Sequence, residues 1–200
     1  MQKLNIFHFI CDNIEILVGN NESGDKMIRK ATLKDIDQVE NGYTELLLYE
    51  QEHQAYTVWQ LGVYPTRKVA EDAFQNNELY VMDEDGDIYA SVIVNQVQPQ
   101  EYQQIHWKYD VLPHQVLVIH LLCVRPSKAG KGIGKKMVNF VIEEGKRLGC
   151  QTVRLDTGSQ NKPAIALYEK MGFELVGKTK MAIGGKIAHN DHLFFEKKIG

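Results

Sequence analysis

The chain has 200 residues, 44% of them hydrophobic, and a formal net charge of −3. That is enough for one domain with a buried core. The acidic balance, with no basic run longer than pairs such as Lys135-Lys136 and Lys197-Lys198, argues against nucleic acid as a partner.

Leu4 to Ile10 is mostly apolar but too short to span a bilayer. Asp12 and Glu15 break any signal-peptide core. Gly19 to Gly24 is polar and linker-like, so residues 1–26 read as an N-terminal extension of unassigned role before a domain over 27–200. Met27 to Ala31 reads as the first strand. Thr32-Leu33-Lys34-Asp35 is a helix start, with a helix to about Glu40. Leu46 to Glu52 and Thr66 to Asn76 are further helical stretches. Leu79 to Met82 and Ile88 to Val97 are strands about an acidic turn, Asp83 to Asp87. Gln98 to His114 is a long polar and aromatic loop, a kind often tied to function.

Val116 to Val124 is almost wholly apolar, as expected of a strand buried on both faces. Ile133, Met137, Val141 and Leu148 fall near one helical stripe and predict a helix over 132–149, with Lys146 and Arg147 in its last turn and Gly149 as its stop. Gln151 to Asp156 is the next strand, and a strand-helix-strand crossover of this length makes it parallel to 116–124. Asn161 and Pro163 open a helix that Gly172 closes. Phe173 to Ile183 and His192 to Lys198 form a closing hairpin with Gly184-Gly185 near its turn. Cys11, Cys123 and Cys150 are an odd set without metal-ligand spacing, which points to a reduced, cytoplasmic protein. His189 and His192 lie at the expected start of the last strand with no third ligand nearby, so no metal is assigned.

The glycines Gly130, Gly132 and Gly134 sit where the buried strand turns into a helix. Helix N-termini hold unpartnered N–H groups and favour negative charge, and glycines let a phosphate come close. The spacing fails the P-loop pattern, since Ala129 stands where a glycine is required and Lys136 where a hydroxyl is required. It also fails G-x-G-x-x-G, because residue 135 is lysine.

Val124-Arg125-Pro126 followed by Gly130-Lys131-Gly132-Ile133-Gly134 instead resembles the acetyl-CoA loop of the GNAT superfamily of N-acetyltransferases. Ala129 departs from the Gln or Arg of that loop, which removes a side chain but no backbone donor. A second motif, Asn161 through Ala164 and Tyr168 to Gly172-Phe173, is similar to the family's N-x-x-A-x-x-x-Y-x-x-x-G-F. The resemblance implies an α/β fold with a mixed sheet of six or seven strands, flanking helices and two splayed parallel central strands. It implies acetyl-CoA as co-substrate, held by Leu122, Cys123, Val124, Lys128, Ala129, Gly130, Lys131, Gly132, Ile133, Gly134 and Lys135, with Asn161, Ala164 and Tyr168. Direct attack of an amine on the thioester would follow. By motif position Tyr168 protonates the leaving thiolate and the Leu122 N–H holds the oxyanion.

A strand period of two puts Val118, His120 and Leu122 on one face and Cys123 on the other. No carboxylate stands at Val118. His120 resembles a strand histidine of arylalkylamine N-acetyltransferases, and with an ordinary imidazole pKa of about 6.5 the resemblance makes it the candidate base, with a structural histidine and an ordered-water path as the alternative. Tyr43, Glu45, Tyr49, Trp59, Trp107 and Tyr109 come from segments that border the acceptor groove in that family, so the resemblance makes them candidates, Glu45 as an ammonium partner; most of the aromatics read equally well as core residues. The expected acceptor is a primary amine of a small molecule or peptide, with no nucleic acid, no membrane, and a homodimer as a possible assembly. The rival readings are a non-catalytic acyl-CoA-binding regulator and an aminoacyl-tRNA acetyltransferase.

Overall fold

A computed structural model describes residues 27–200; the expectation for residues 1–26 lies outside the described residues. The strands are β1 (Met27–Lys30), β2 (Leu79–Glu84), β3 (Asp87–Asn95), β4 (Val116–Val124), β5 (Thr152–Gly158), β6 (Glu174–Ile183) and β7 (Ile187–Lys198). The helices are α1 (Ile36–Glu52), α2 (Arg67–Gln75), α3 (Ile133–Arg147) and α4 (Lys162–Lys170). The strands form one sheet in the order β1-β2-β3-β4-β5-β7-β6. Among the described strands only β4 and β5 pair in parallel, as the α3 crossover requires.

Two helix layers explain the apolar runs. On one face Met137, Val138, Val141 and Ile142 of α3 pack with Leu117, Ile119, Val92 and Leu155. On the other, Ile36, Val39 and Tyr43 of α1 pack with Val81, Ile93, Leu121 and Cys123. Strands covered on both sides have no polar side to alternate with.

Three expectations are corrected. The two helical pieces before and after residue 42 are one helix, α1. Gly42 does not end it. A Cβ there would stand 3.3 Å from Cγ of Arg125, so the glycine admits the Arg125 side chain against the helix. Burial of Val39, Tyr43 and Leu47 at four-residue intervals carries the helix across. The second correction concerns β7, which begins at Ile187, not His192. Gly184 and Gly185 adopt positive φ in a tight turn, and pairing starts at once with Ile183 opposite Ile187. His189 and His192 therefore lie within the strand.

The third is the facing of β4. β3 pairs with it from Ala90–Val124 to Ile93–Leu121, then resumes at Val94–Ile119. His120 is the extra residue of a β-bulge. The alternation resets there, so Val118 and Leu122 face opposite sides. Leu122 packs on the α3 side with Ile119, whereas Val118 packs with Tyr102, Ile105 and Phe194.

Candidate active site

The parallel pair β4–β5 holds register only from Val116–Thr152 to Ile119–Leu155. Beyond it both strands continue without pairing to each other, β4 to Val124 and β5 to Gly158. The gap has a polarity that the β3 side dictates. The Arg125 N–H donates to the Tyr89 C=O at 3.0 Å. Antiparallel pairs alternate between bonded and non-bonded positions. Leu121 and Cys123 therefore turn their N–H groups to β3, and Leu122 and Val124 turn theirs into the gap. Cys123 is not brought to the gap at all. Its Sγ donates to the Gly42 C=O at 3.6 Å beneath α1, and burial pushes its thiol up to about 12.

At the top of β4 the chain makes a short turn, Pro126–Lys128, then enters α3. The Ala129 N–H is spent on the Pro126 C=O at 3.1 Å, so it is not a free donor as expected. The N–H groups of Gly130 to Lys135 have no partner among the described residues; the first helical bond runs from Lys136 N–H to Gly132 C=O at 3.0 Å. Gly130 and Gly132 have φ of 81° and 70°, and a Cβ on either would meet nothing within 4 Å, so the space before the donors is open. Gly134 serves differently: its Cβ would stand 3.1 Å from Leu167 of α4. Lys135 and Lys136 in the first turn oppose the helix dipole, a cost that an anion at this spot offsets. Lys128 does not reach out; its Nζ is held 2.5 Å from Asp87. These donors fit a pyrophosphate.

Below the gap lies a cavity of about 290 Å³, lined by His120, Leu122, Asp156, Ala164, Tyr168 and His192 among others. Asn161 caps α4, its Oδ1 accepting the Ala164 N–H at 3.3 Å, and it also lines the cavity. Tyr168 projects from α4 against Phe173 and Phe195. Its hydroxyl has no hydrogen-bond partner among the described residues, yet it is not sealed from solvent. Burial, and then the charge of Asp156, raise its pKa well above the ordinary phenol value, so it is a neutral O–H donor throughout the working range. His120 Nε2 lies 2.6 Å from Asn95 Oδ1, which already accepts the Val97 N–H at 2.9 Å. An oxygen accepting both puts the proton on Nε2 and leaves Nδ1 as the acceptor. Burial lowers the His120 pKa to about 4, not the ordinary value expected of it.

Asp156 escaped the sequence reading. It is the first β5 residue past the last β4–β5 pair. Oδ1 accepts the Tyr102 hydroxyl at 2.9 Å and Oδ2 lies 3.4 Å from His192 Nε2, with 15% of the side chain exposed. Burial raises its pKa to about 7, with the Tyr102 hydrogen bond working against the rise and the charge of Glu101 adding to it. A lone carboxylate at the C-terminal end of a buried parallel strand was the signal, masked by reading Gln151 to Asp156 as a strand and no more.

Most expected acceptor residues lie elsewhere. Tyr43 is buried in the α1 core. Glu45 binds Arg125 at 2.7 Å and accepts the Ser127 N–H at 2.8 Å, so it braces the turn before the cradle. Trp107 covers the Arg154 guanidinium at 4.1 Å. The Tyr109 hydroxyl donates to Glu174, and its N–H to Glu196. A buried pair, Arg154–Glu196, pins this loop, since Glu196 also accepts the Lys108 N–H and Arg154 donates to Gln98 and the Tyr109 C=O. Tyr49 stacks on His53 in solvent. Of the six, only Trp59 lines the cavity, beside Thr57, Val58 and Tyr64 of the α1–α2 loop. Glu50 sets that loop by accepting the Thr57 N–H at 3.0 Å and its hydroxyl at 2.6 Å. Tyr64 meets the β6–β7 turn: its ring fills the place that a Cβ on Gly184 would take. Among the described residues no group of three or more His, Cys, Asp or Glu side chains could hold a metal ion, and no helix is long and apolar enough to cross a membrane.

Residues 36–173 match the model of the acetyltransferase (GNAT) family. An uncharacterised N-acetyltransferase of Methanocaldococcus jannaschii is 38% identical over 69 residues, 34% of this chain and 30% of that protein. Matches to two other curated relatives span 40% and 31% of their lengths. A GNAT-family acetyltransferase structure from Streptococcus agalactiae superposes with a TM-score of 0.72 at 22% identity, covering 86% of this chain and 94% of that one. A Salmonella typhimurium protein solved with its cofactor acetyl-CoA gives 0.64 at 18% identity, covering 88% and 95%.

Proposed function

The chain belongs to the GNAT acetyltransferase family, and on that premise we propose that it transfers an acetyl group from acetyl-CoA to a primary amine. The observation that carries the reading is the convergence on one cavity of a backbone donor from β4 where it parts from β5 and an unpartnered tyrosine hydroxyl, with a free-amide cradle above them. Acetyl-CoA supplies an activated thioester carbonyl. The N–H groups of Gly130 to Lys135 hold the pyrophosphate. The Val124 N–H fixes the pantetheine arm along β4. The Leu122 N–H faces the position where negative charge develops on the carbonyl oxygen. Tyr168 donates its hydroxyl hydrogen toward the departing sulfur. Asn161 and Ala164 position Tyr168 by opening its helix and lining the wall beside it.

His120, with its proton held by Asn95 and a lowered pKa, serves as a hydrogen-bond acceptor at the cavity wall. The contact of Tyr64 with the β6–β7 turn closes one side of the cavity, which supports a compact acceptor: a small molecule, or the end of a peptide. A cytoplasmic setting goes with this reading, since Cys123 and Cys150 are free thiols in the core. The test is thiol release from acetyl-CoA with a panel of small and peptidyl primary amines. Thiol released in step with an acetylated amine is expected. Binding of acetyl-CoA without turnover on any amine would leave a non-catalytic acyl-CoA-binding protein.

A further inference from the structure

The reaction needs a neutral amine, and an alkylammonium holds its proton with a pKa of about 10. His120 titrates near 4. It is mismatched to that task, because proton transfer is most effective when acid and base are close in strength. The cavity offers another route. We propose that Asp156 takes the proton from the acceptor ammonium and that His192 and His189 carry it to the surface. This rests on the acetyltransferase reading.

The geometry supplies a continuous path. Asp156 opens on the cavity shared with Tyr168 and Leu122. Its Oδ2 lies 3.4 Å from His192 Nε2, and His192 Nδ1 lies 2.8 Å from His189 Nδ1. His192 is buried, whereas His189 is half-exposed. The tautomers follow from one further contact. His189 Nδ1 accepts the Asp191 N–H at 3.4 Å, so it is the acceptor nitrogen, and the proton between the two rings sits on His192 Nδ1. His192 Nε2 is then a lone pair aimed at Asp156.

The proton balance closes along this line. The ammonium N–H breaks and the Asp156 O–H forms, leaving the nitrogen lone pair free to attack. The Asp156 O–H then breaks as His192 Nε2–H forms, and in the same movement the proton on His192 Nδ1 passes to His189 Nδ1, so His192 is never charged. His189 releases the proton on its Nε2 to water. The chain resets when His192 regains Nδ1–H and loses Nε2–H, and His189 regains Nε2–H and loses Nδ1–H, each by exchange with water.

The groups facing Asp156 are Tyr102 and Glu101 from the β3–β4 loop, Tyr64, Tyr168, His120 and His192. Arg154, two residues earlier, is committed to Glu196. None of these places a free cation at the carboxylate, which is why burial and Glu101 can hold it near neutrality. The charge of Asp156 also raises the Tyr168 pKa. Protonating Asp156 removes that charge, so Tyr168 becomes a better donor as the sulfur departs.

Two measurements on the full chain test this. The first needs no acceptor. Nitrogen-15 NMR should find His192 neutral with its proton on Nδ1, and infrared difference spectra against Asp156→Asn should find a carboxyl titrating near neutrality. A proton on His192 Nε2, or an Asp156 carboxyl that titrates in the ordinary carboxylate range, would overturn the proposal. The second is kinetic. With phenethylamine, kcat/KM should rise with pH through about 7, and Asp156→Asn should lose about 10²–10⁴-fold and that inflection. With trifluoroethylamine, a weak base already neutral at pH 7, the loss should be small. His192→Gln should slow turnover and regain it with added imidazole, which a merely structural residue would not do. Wild-type rate and pH profile in Asp156→Asn would sink the base while leaving the acetyltransferase intact. No turnover of any amine by wild type counts instead against the acetyltransferase reading, and the spectroscopic arm then decides alone.

Discussion

Asp156→Asn should make the protein more stable at alkaline pH while harming its reaction. The folded state raises the Asp156 pKa from 3.8 to about 7. Between those values the folded chain binds a proton that the unfolded chain has released. Stability therefore falls as pH rises through this window and levels above it. At about 1.36 kcal/mol per pK unit, the full cost at pH 8 is about 4 kcal/mol, and at pH 5 about 1.6 kcal/mol. Asparagine keeps an acceptor for the Tyr102 hydroxyl and carries no charge to desolvate. The gain on substitution should thus grow by about 2–3 kcal/mol from pH 5 to pH 8. For a chain of this size that is roughly 5–10 °C in Tm. The assay is thermal unfolding by circular dichroism at both pH values, read as the difference between variant and wild type. The difference is essential, because burial depresses His120 and His192 to about 4, and their contribution runs the opposite way, lost as pH falls from 6.5. An equal Tm difference at pH 5 and pH 8 would refute the reasoning, as would a variant less stable than wild type at pH 8.

Tyr168→Phe should lower kcat by about 10²–10⁴-fold with little change in acetyl-CoA affinity, measured by calorimetry beside turnover; an unchanged rate with chemistry limiting would reduce Tyr168 to packing. Gly132→Val should weaken acetyl-CoA by about tenfold or more and cost about 1–2 kcal/mol of stability, because φ of 70° strains any side chain and the added carbons stand before the free amides. Equal affinity in that variant would move the cradle elsewhere. His120→Gln should keep the pH profile of kcat/KM between pH 6 and pH 9, since His120 is already neutral there; loss of an inflection near 7 would return the role of base to it.

The sheet and the glycine-rich turn from β4 into α3 were legible in the sequence because each rests on local chemistry. Val116 to Val124 could only be a doubly covered strand, and its bounds match β4. Asn161, Pro163 and Gly172 punctuate α4 by capping rules that need no tertiary information. What was hidden depends on contacts distant in sequence. The first helix was read only to about Glu40 because Arg125, which fills the space beside Gly42, comes 83 positions later. Trp107 and Tyr109 looked like groove residues because the Arg154–Glu196 pair that holds their loop is formed across β5 and β7. The acidity of Asp156 is set first by burial in the folded chain, then by the hydroxyl of Tyr102 and the charge of Glu101, neither near it in the sequence. Period-two reasoning on β4 failed at one residue, since nothing in Ile119-His120-Leu121 announces a bulge.

That bulge lies where β4 parts from β5, one residue past their last pair at Ile119–Leu155. As the extra residue, His120 bends the strand and leaves the alternation on either side of it intact. Deleting it would keep Leu121 and Cys123 under α1 and Leu122 and Val124 on the α3 side, so the amides of the gap would hold their direction. What the deletion would remove is the local bend and the imidazole at the cavity wall. A substitution at His120 would change the side chain and leave the bend.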